Sequence, residues 1–337
     1  MKIVVRRESV AGNRNAFANC GQDALAPSRQ SASFAGVKKA VAALVTWGRL
    51  WGLTCGRTLG LACGFLLAAA TGAGAQTAPC PGNPEALGTS RILQIDAATT
   101  PRVGLKQFPQ TLPLQDREVV LTFDDGPMRT TTPKILAALR HDCVLATFFV
   151  VGKQAADDPS LVKRTLAEGH SIGTHSYGHP LLSRMSFAAA EAEIDHGIAA
   201  VDAALGTAKP QASGPPGAPG QAAPFFRFPG FASTPALLDR MAQRGIVVFG
   251  ADFWASDWLP MTPEHELDVV MRRLRAAGRG ILLLHDTKAE TAAMLPSLLT
   301  MLRRQGYRIV HVVPSGRRPL VTSEPTTEPP TNPVGGR

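Results

Sequence analysis

The sequence predicts an α/β fold, a distorted (β/α) barrel of about seven strands in a single domain, on three observations. Strand-like and helix-like segments alternate from Glu118 onward. The strands are almost wholly apolar (VVLTF, VLATFFVV, GILLLH), as expected of parallel strands buried on both faces beneath crossover helices. Seven such strands fall within about 200 residues, which suits a closed or partly closed barrel better than an open sheet.

The strands are expected at 119–123, 144–151, 171–174, 225–228, 246–251, 280–285 and 308–313. Helices are expected between them at 133–140, 159–168, 187–205, 235–244, 263–277 and 289–305. Thr132-Pro133 and Thr262-Pro263 have the pattern of an N-cap followed by proline in the first turn, and Gly245 and Gly306 sit where helices should stop.

The flanking text differs in composition. The chain carries 35 Lys/Arg and 26 Asp/Glu. Residues 1–75 hold nine of the former and two of the latter, so the surplus of +7 lies there and the other 262 residues carry only +2. The folded part therefore has no charge reason to bind nucleic acid. Within residues 1–75, Arg57 leads an apolar run from Leu59 to Ala70, followed by Ala73-Gly74-Ala75. These are the parts of a secretory signal peptide; the alternative is an uncleaved membrane anchor. An exported protein, periplasmic or secreted, is expected. Residues 76–115 read as a linker or wrapped extension, and 206–224 as a low-complexity surface insertion. Residues 314–337 read as a disordered proline-rich tail.

Of the five cysteines, Cys80 and Cys143 lie beyond the expected cleavage point. They could pair in an oxidising compartment, but two are too few for a disulfide scaffold, and Cys143 reads most simply as a small core residue. The absence of C-x-x-C leaves cysteine-based zinc chemistry unsupported.

In barrels of this kind reactive groups gather at the C-terminal ends of the strands. The ionisable residues at those ends are Asp124-Asp125, His175 with His179, Arg227, Asp252, Asp257 and His285-Asp286. Neighbours on a regular strand face opposite ways, so both carboxylates enter one pocket only if Gly126-Pro127 turns the chain sharply; the rival reading makes them helix caps. His175 and His179, four apart, with one Asp would supply three ligands and leave open positions, as in catalytic metal sites. Arg227, an isolated charge in an apolar stretch, requires a carboxylate partner if buried, and Asp124 is available. His285 is either a satisfied core residue or an acid oriented by Asp257. Trp258 is a candidate pocket wall, with Trp254 its rival.

Taken in order, Thr122-Phe123-Asp124-Asp125-Gly126-Pro127, His175-Ser176-Tyr177-Gly178-His179, Arg227-Phe228-Pro229, Asp257-Trp258 and Leu282-Leu283-Leu284-His285 resemble the five motifs of the polysaccharide deacetylases. These are the NodB-homology proteins, or carbohydrate esterase family four. The resemblance spans about residues 116–313, which it marks as the catalytic domain.

The resemblance implies a metal-dependent hydrolase that removes N-acetyl groups from amino sugars of a polysaccharide such as peptidoglycan, a chitin-like chain or an exopolysaccharide. It makes Asp125, His175 and His179 ligands of a divalent metal, commonly zinc. Asp124 becomes the general base, Arg227 its charge partner, His285 the general acid and Asp257 the residue that tunes it. Pro229, Gly230 and Trp258 become substrate-binding residues. The sequence departs from the pattern at Gly230, where the family often has Tyr or Phe; the backbone N–H remains, but the groove shape is in question. Alternative readings are an O-acetyl esterase, a cyclic-amide hydrolase, or a carbohydrate-binding protein without turnover. Nothing in the sequence implies a protein partner.

Overall fold

The computed structural model describes residues 80–206 and 221–315. The basic leader with its apolar run, most of the 206–224 insertion and nearly all of the tail lie outside the described residues.

The elements run β1 (Thr89–Ile95), β2 (Arg102–Val103), β3 (Glu118–Asp124), α1 (Thr132–His141), β4 (Thr147–Val150), α2 (Gly152–Asp157), α3 (Pro159–Ala167), β5 (Ser171–Thr174) and α4 (Phe187–Leu205). They continue with β6 (Phe225–Phe226), α5 (Pro235–Gln243), β7 (Val247–Phe249), β8 (Phe253–Trp254), α6 (Pro263–Ala277), β9 (Gly280–His285), α7 (Ala289–Arg304) and β10 (Arg308–Pro314). All seven expected strands and six expected helices are present. Short 3-10 turns at Leu182–Arg184 and Pro229–Phe231 were not expected, nor were α2 and β8.

Every strand pairing among the described residues is parallel. The central order is β9-β3-β4-β5-β6-β7, and β9 also pairs with β8. Because β7 and β8 are one stretch of chain bent at 250–252, the circuit returns on itself through that bend, where the ladder is interrupted. The barrel is thus distorted and not closed by continuous hydrogen bonding.

Of the two readings of 76–115, linker or wrapped extension, the described residues from Cys80 onward take the second. β1 pairs with β10 and β2 with β7, so this segment wraps the barrel and adds two strands. Its strands escape an apolar-run criterion because β1 is only half-buried and β2 is two residues long. Nor is Cys143 a small core residue: it is only partly buried. It lies in the turn after α1 with φ of 49° and forms a disulfide with Cys80, tying the wrapping segment to the barrel.

Period-two alternation divides the core. Val119, Leu121 and Phe123 face outward into a layer with Leu136, Leu139, Leu295 and Leu298 from α1 and α7. Val120 points inward with Phe149, Phe225, Phe249, Ile281 and Val312. Thr122 and Asp124 share Val120's parity, so the sequence alternation itself aims Asp124 into the barrel. Helix ends follow local chemistry. Thr262 accepts from the His265 N–H as an N-cap, and Gly245 and Gly306 end their helices with positive φ. Thr132 is not the cap of α1: its hydroxyl accepts from the Met128 N–H and donates to Asp286.

Candidate active site

Asp124 is the last inward residue of β3 and is buried. Arg227, fully buried after β6, places Nη1 2.6 Å from Asp124 Oδ1 and also donates to Thr122 Oγ1. Its Nη2 donates to the Gly250 carbonyl, and the guanidinium lies over the Phe149 ring. Burial lowers the Arg227 pKa and Asp124 opposes that shift, the behaviour of a charge held in the interior by a single counter-charge.

Asp125 would face away on a regular strand, but its φ of 76° turns the backbone into the left-handed region and brings its carboxylate to the same mouth. Gly126 is required by space: a Cβ there would lie 2.0 Å from the Asp286 carboxylate. The next ligand loop is built the same way. Ser176 and His179 both have positive φ, and the Ser176 hydroxyl accepts from the His179 N–H. The first N–H groups of α2, from Gly152 and Lys153, donate to the Ser176 and Tyr177 carbonyls, so a helix start clamps the loop. Gly197 of α4 lets that helix approach, since a Cβ there would sit 2.5 Å from the Ser176 backbone.

These turns converge Asp125, His175 and His179, whose candidate ligand atoms lie within 4.8 Å of one another. Asp125 Oδ1 is 3.2 Å from His179 Nε2 and 3.5 Å from His175 Nε2. It is nevertheless a buried oxygen with no hydrogen-bond partner among the described residues. The reason lies on the far side of His175. Its Nδ1 is 2.7 Å from the Arg227 carbonyl, which can only accept, so Nδ1 carries the proton. Burial lowers the pKa of His175 despite Asp124 and Asp125, leaving the ring neutral with its Nε2 lone pair aimed at the carboxylates. Lone pairs facing a buried carboxylate repel unless a cation lies between them, so these three residues fit a metal ion. Burial would raise the Asp125 pKa, but the His179, His175 and His285 imidazoles around it hold it well below the ordinary carboxylate range.

The opposite wall comes from β9 and the segment after β8. Asp257 Oδ1 is 2.8 Å from His285 Nδ1, and Asp257 Oδ2 accepts from the His285 backbone N–H. His285 Nε2 thereby points into the site, 3.9 Å from Asp125 Oδ2. Burial opposes charge on His285, but Asp257 together with Asp124 and Asp125 outweighs it and raises the pKa to about 9. Trp258, nearly half exposed, stands edge-on to His285 with ring centroids 6.0 Å apart. Trp254 sits one ring further out, between Trp258 and Phe231. Pro229 and Gly230 form the 3-10 turn after Arg227, with Gly230 exposed at φ 55°.

The structure thus brings Asp124, Asp125, His175, His179, Arg227, Asp257 and His285 to one rim. Two residues of the expected rim do not join them. Asp252 lies at the opposite end of β9, where it accepts from the Ile281 and Leu105 N–H groups and from Thr111. Asp286 is buried beneath the Asp125 turn, accepts from Thr132, and is pushed up by burial to about 7. Sequence reasoning missed Thr122, which shares Arg227 with Asp124, and Thr291 and Glu266 behind Asp257. The inward parity of Thr122 was a usable signal for the first.

Residues 112–223 match the family model described as polysaccharide deacetylase. The chain belongs to the polysaccharide deacetylase family. Among curated relatives it is 31% identical over 212 residues to a chitooligosaccharide deacetylase of Bradyrhizobium, covering 59% of this chain and 90% of that one. It is 32% identical over 200 residues to the peptidoglycan-N-acetylglucosamine deacetylase PgdA of Listeria monocytogenes, covering 58% of this chain but only 38% of the relative. Among solved structures, the Bdellovibrio bacteriovorus peptidoglycan deacetylase Bd3279 aligns with a TM-score of 0.57 and 29% identity, over 67% of this chain and 59% of that one.

Proposed function

We propose that this protein is a metal-dependent deacetylase that hydrolyses N-acetyl groups on the amino sugars of a polysaccharide, releasing acetate. The observation that carries the reading is the neutral His175 aiming its Nε2 lone pair, with His179 beside it, at the buried Oδ1 of Asp125. The names of the Listeria and Bradyrhizobium relatives make peptidoglycan and chitin-like oligomers the first substrates to try.

Asp125, His175 and His179 would hold the cation. When bound, a divalent ion, zinc in the first instance, supplies Lewis acidity to the acetyl carbonyl and to the attacking water. Asp124 takes the proton from that water as its oxygen attacks the acetyl carbon, and Arg227 keeps the Asp124 carboxylate fixed in a dry environment. The Gly230 N–H donates to the carbonyl oxygen as negative charge develops on it. An amide nitrogen leaves poorly unless protonated, and His285, charged through Asp257, delivers the proton as the C–N bond breaks. Trp258, beside His285, walls the space for the acetyl methyl. Export is proposed on the leader-like run before Ala75 and is supported by the Cys80–Cys143 disulfide, which suits an oxidising compartment.

The test is acetate release by the full chain from peptidoglycan, N-acetylglucosamine oligomers and acetylated xylan, with and without added zinc. Metal-dependent release from an amino-sugar polymer, lost in Asp124→Asn and His285→Ala, is expected. Undiminished release by the metal-stripped protein rejects the metal reading, and release from xylan alone moves the activity to O-acetyl esters.

A further inference from the structure

Behind His285 the hydrogens do not suffice for two ionised carboxylates. Thr291 Oγ1 lies 3.0 Å from Asp257 Oδ2 and 2.8 Å from Glu266 Oε1. A hydroxyl has one hydrogen, so it cannot donate to both. Asp257 already accepts from His285 Nδ1 and from the His285 backbone N–H, and it pairs with the imidazolium. Glu266 has no such support. It is fully buried in the first turn of α6, and its Oε2 has no hydrogen-bond partner among the described residues.

We propose that Glu266 is held as a neutral carboxylic acid that donates to Thr291 Oγ1, which in turn donates to Asp257. Glu266 is thereby a positioning residue for His285, an assignment that rests on reading His285 as the general acid. The chain Glu266–Thr291–Asp257–His285 fixes the Asp257 carboxylate against the imidazole without placing a second negative charge beside it. An ionised Glu266 would repel Asp257 across the shared hydroxyl and leave both of its oxygens poorly solvated. Burial, reinforced by the neighbouring Asp257 and Glu290 carboxylates and opposed by Thr291 and His285, pushes Glu266 up to about 7.

The experiment compares the full-length wild type with Glu266→Gln and Glu266→Leu. Below pH 7, the wild type is expected to show the infrared carbonyl stretch of a protonated carboxylic acid that is missing from Glu266→Gln; Asp286 is common to both proteins and cancels in the difference. In Glu266→Gln the amide N–H replaces the acid O–H toward Thr291, so below pH 7, where Glu266 keeps its proton, kcat should fall far less than in Glu266→Leu. In Glu266→Leu kcat below pH 7 should fall about tenfold at unchanged KM, the equivalent of one hydrogen bond. Activity in Glu266→Gln well above that of Glu266→Leu is the expected rescue.

The proposal is overturned if the infrared difference is empty, or if Glu266→Gln loses as much kcat below pH 7 as Glu266→Leu does. Should Glu266→Leu fail to fold, the glutamine variant and the infrared difference still decide. If the wild type releases no acetate, the functional reading fails by itself, while the infrared band and an NMR titration of His285 still locate the proton.

Discussion

Replacing Asp257 with Asn tests the proton-transfer wall most directly. The substitution keeps the size of the side chain and its contacts with Thr291 and the His285 N–H, but removes the charge 2.8 Å from His285 Nδ1. His285 is raised from an ordinary 6.5 to about 9, a change worth up to about 3 kcal/mol in favour of the imidazolium. Burial is the largest influence on the ring and acts against its charge, so without Asp257 the pKa should fall back toward 6.5. At about pH 8 the charged fraction would then drop from roughly nine-tenths to a few per cent, about a thirtyfold loss of usable acid. The folded pKa lies above the unfolded one, so the associated stability is fully present below 6.5 and is lost as pH rises through about 9. The assay is histidine NMR titration of the metal-free protein, paired with urea unfolding at several pH values. A cation held by Asp125 would lower His285 in wild type and variant alike, so the alkaline limb of activity should still move in the same direction in the loaded enzyme. A His285 resonance that titrates at the same pH in both proteins would refute this account.

Arg227→Met leaves Asp124 buried without its directly bonded counter-charge, and urea unfolding should show a loss of about 3–5 kcal/mol, partly recovered in the double variant with Asp124→Leu. Added zinc should raise the melting temperature of the wild type, by the equivalent of about 2.7 kcal/mol at a hundredfold excess over Kd, and Asp125→Asn should abolish the rise. Joint replacement of Cys80 and Cys143 by Ala opens a loop spanning 63 positions and should lower stability by about 4 kcal/mol on the chain-entropy account, read by denaturant titration against the oxidised wild type.

What the sequence made legible follows from how much each feature is dictated locally. Strands such as Ile281–Leu284 are apolar on both faces because both faces are covered, and the turn signals that bound so short a run favour a strand over a buried helix. The helices announce their ends through Thr262, Gly245 and Gly306, whose caps and positive φ are needed wherever the helix sits. β1 and β2 were hidden because a half-buried edge strand carries a mixed pattern that does not differ from that of a loop. The Cys80–Cys143 pairing was left open for a related reason: two cysteines and their spacing do not say which turn lies against which.

The site divides along the same line. Asp124 and Arg227 were predictable as a pair, because a buried guanidinium must find a carboxylate and only a few strand ends offered one. The convergence of Asp125 with the histidines depends on three left-handed residues, Asp125, Ser176 and His179, none of them glycine. Backbone conformations of this kind persist only when the surroundings enforce them. Here the enforcement is specific: α2 donates to the Ser176 and Tyr177 carbonyls, Gly197 admits the loop, and Asp286 fills the space beside Gly126. These supports come from elements far apart in sequence, so no window of residues around His175 contains them. The same holds for Glu266 and Thr291, which stand on α6 and α7 and reach His285 only through Asp257. Residues that carry the chemistry are thus found by their type at strand ends, whereas residues that aim them are found only once the helices are packed.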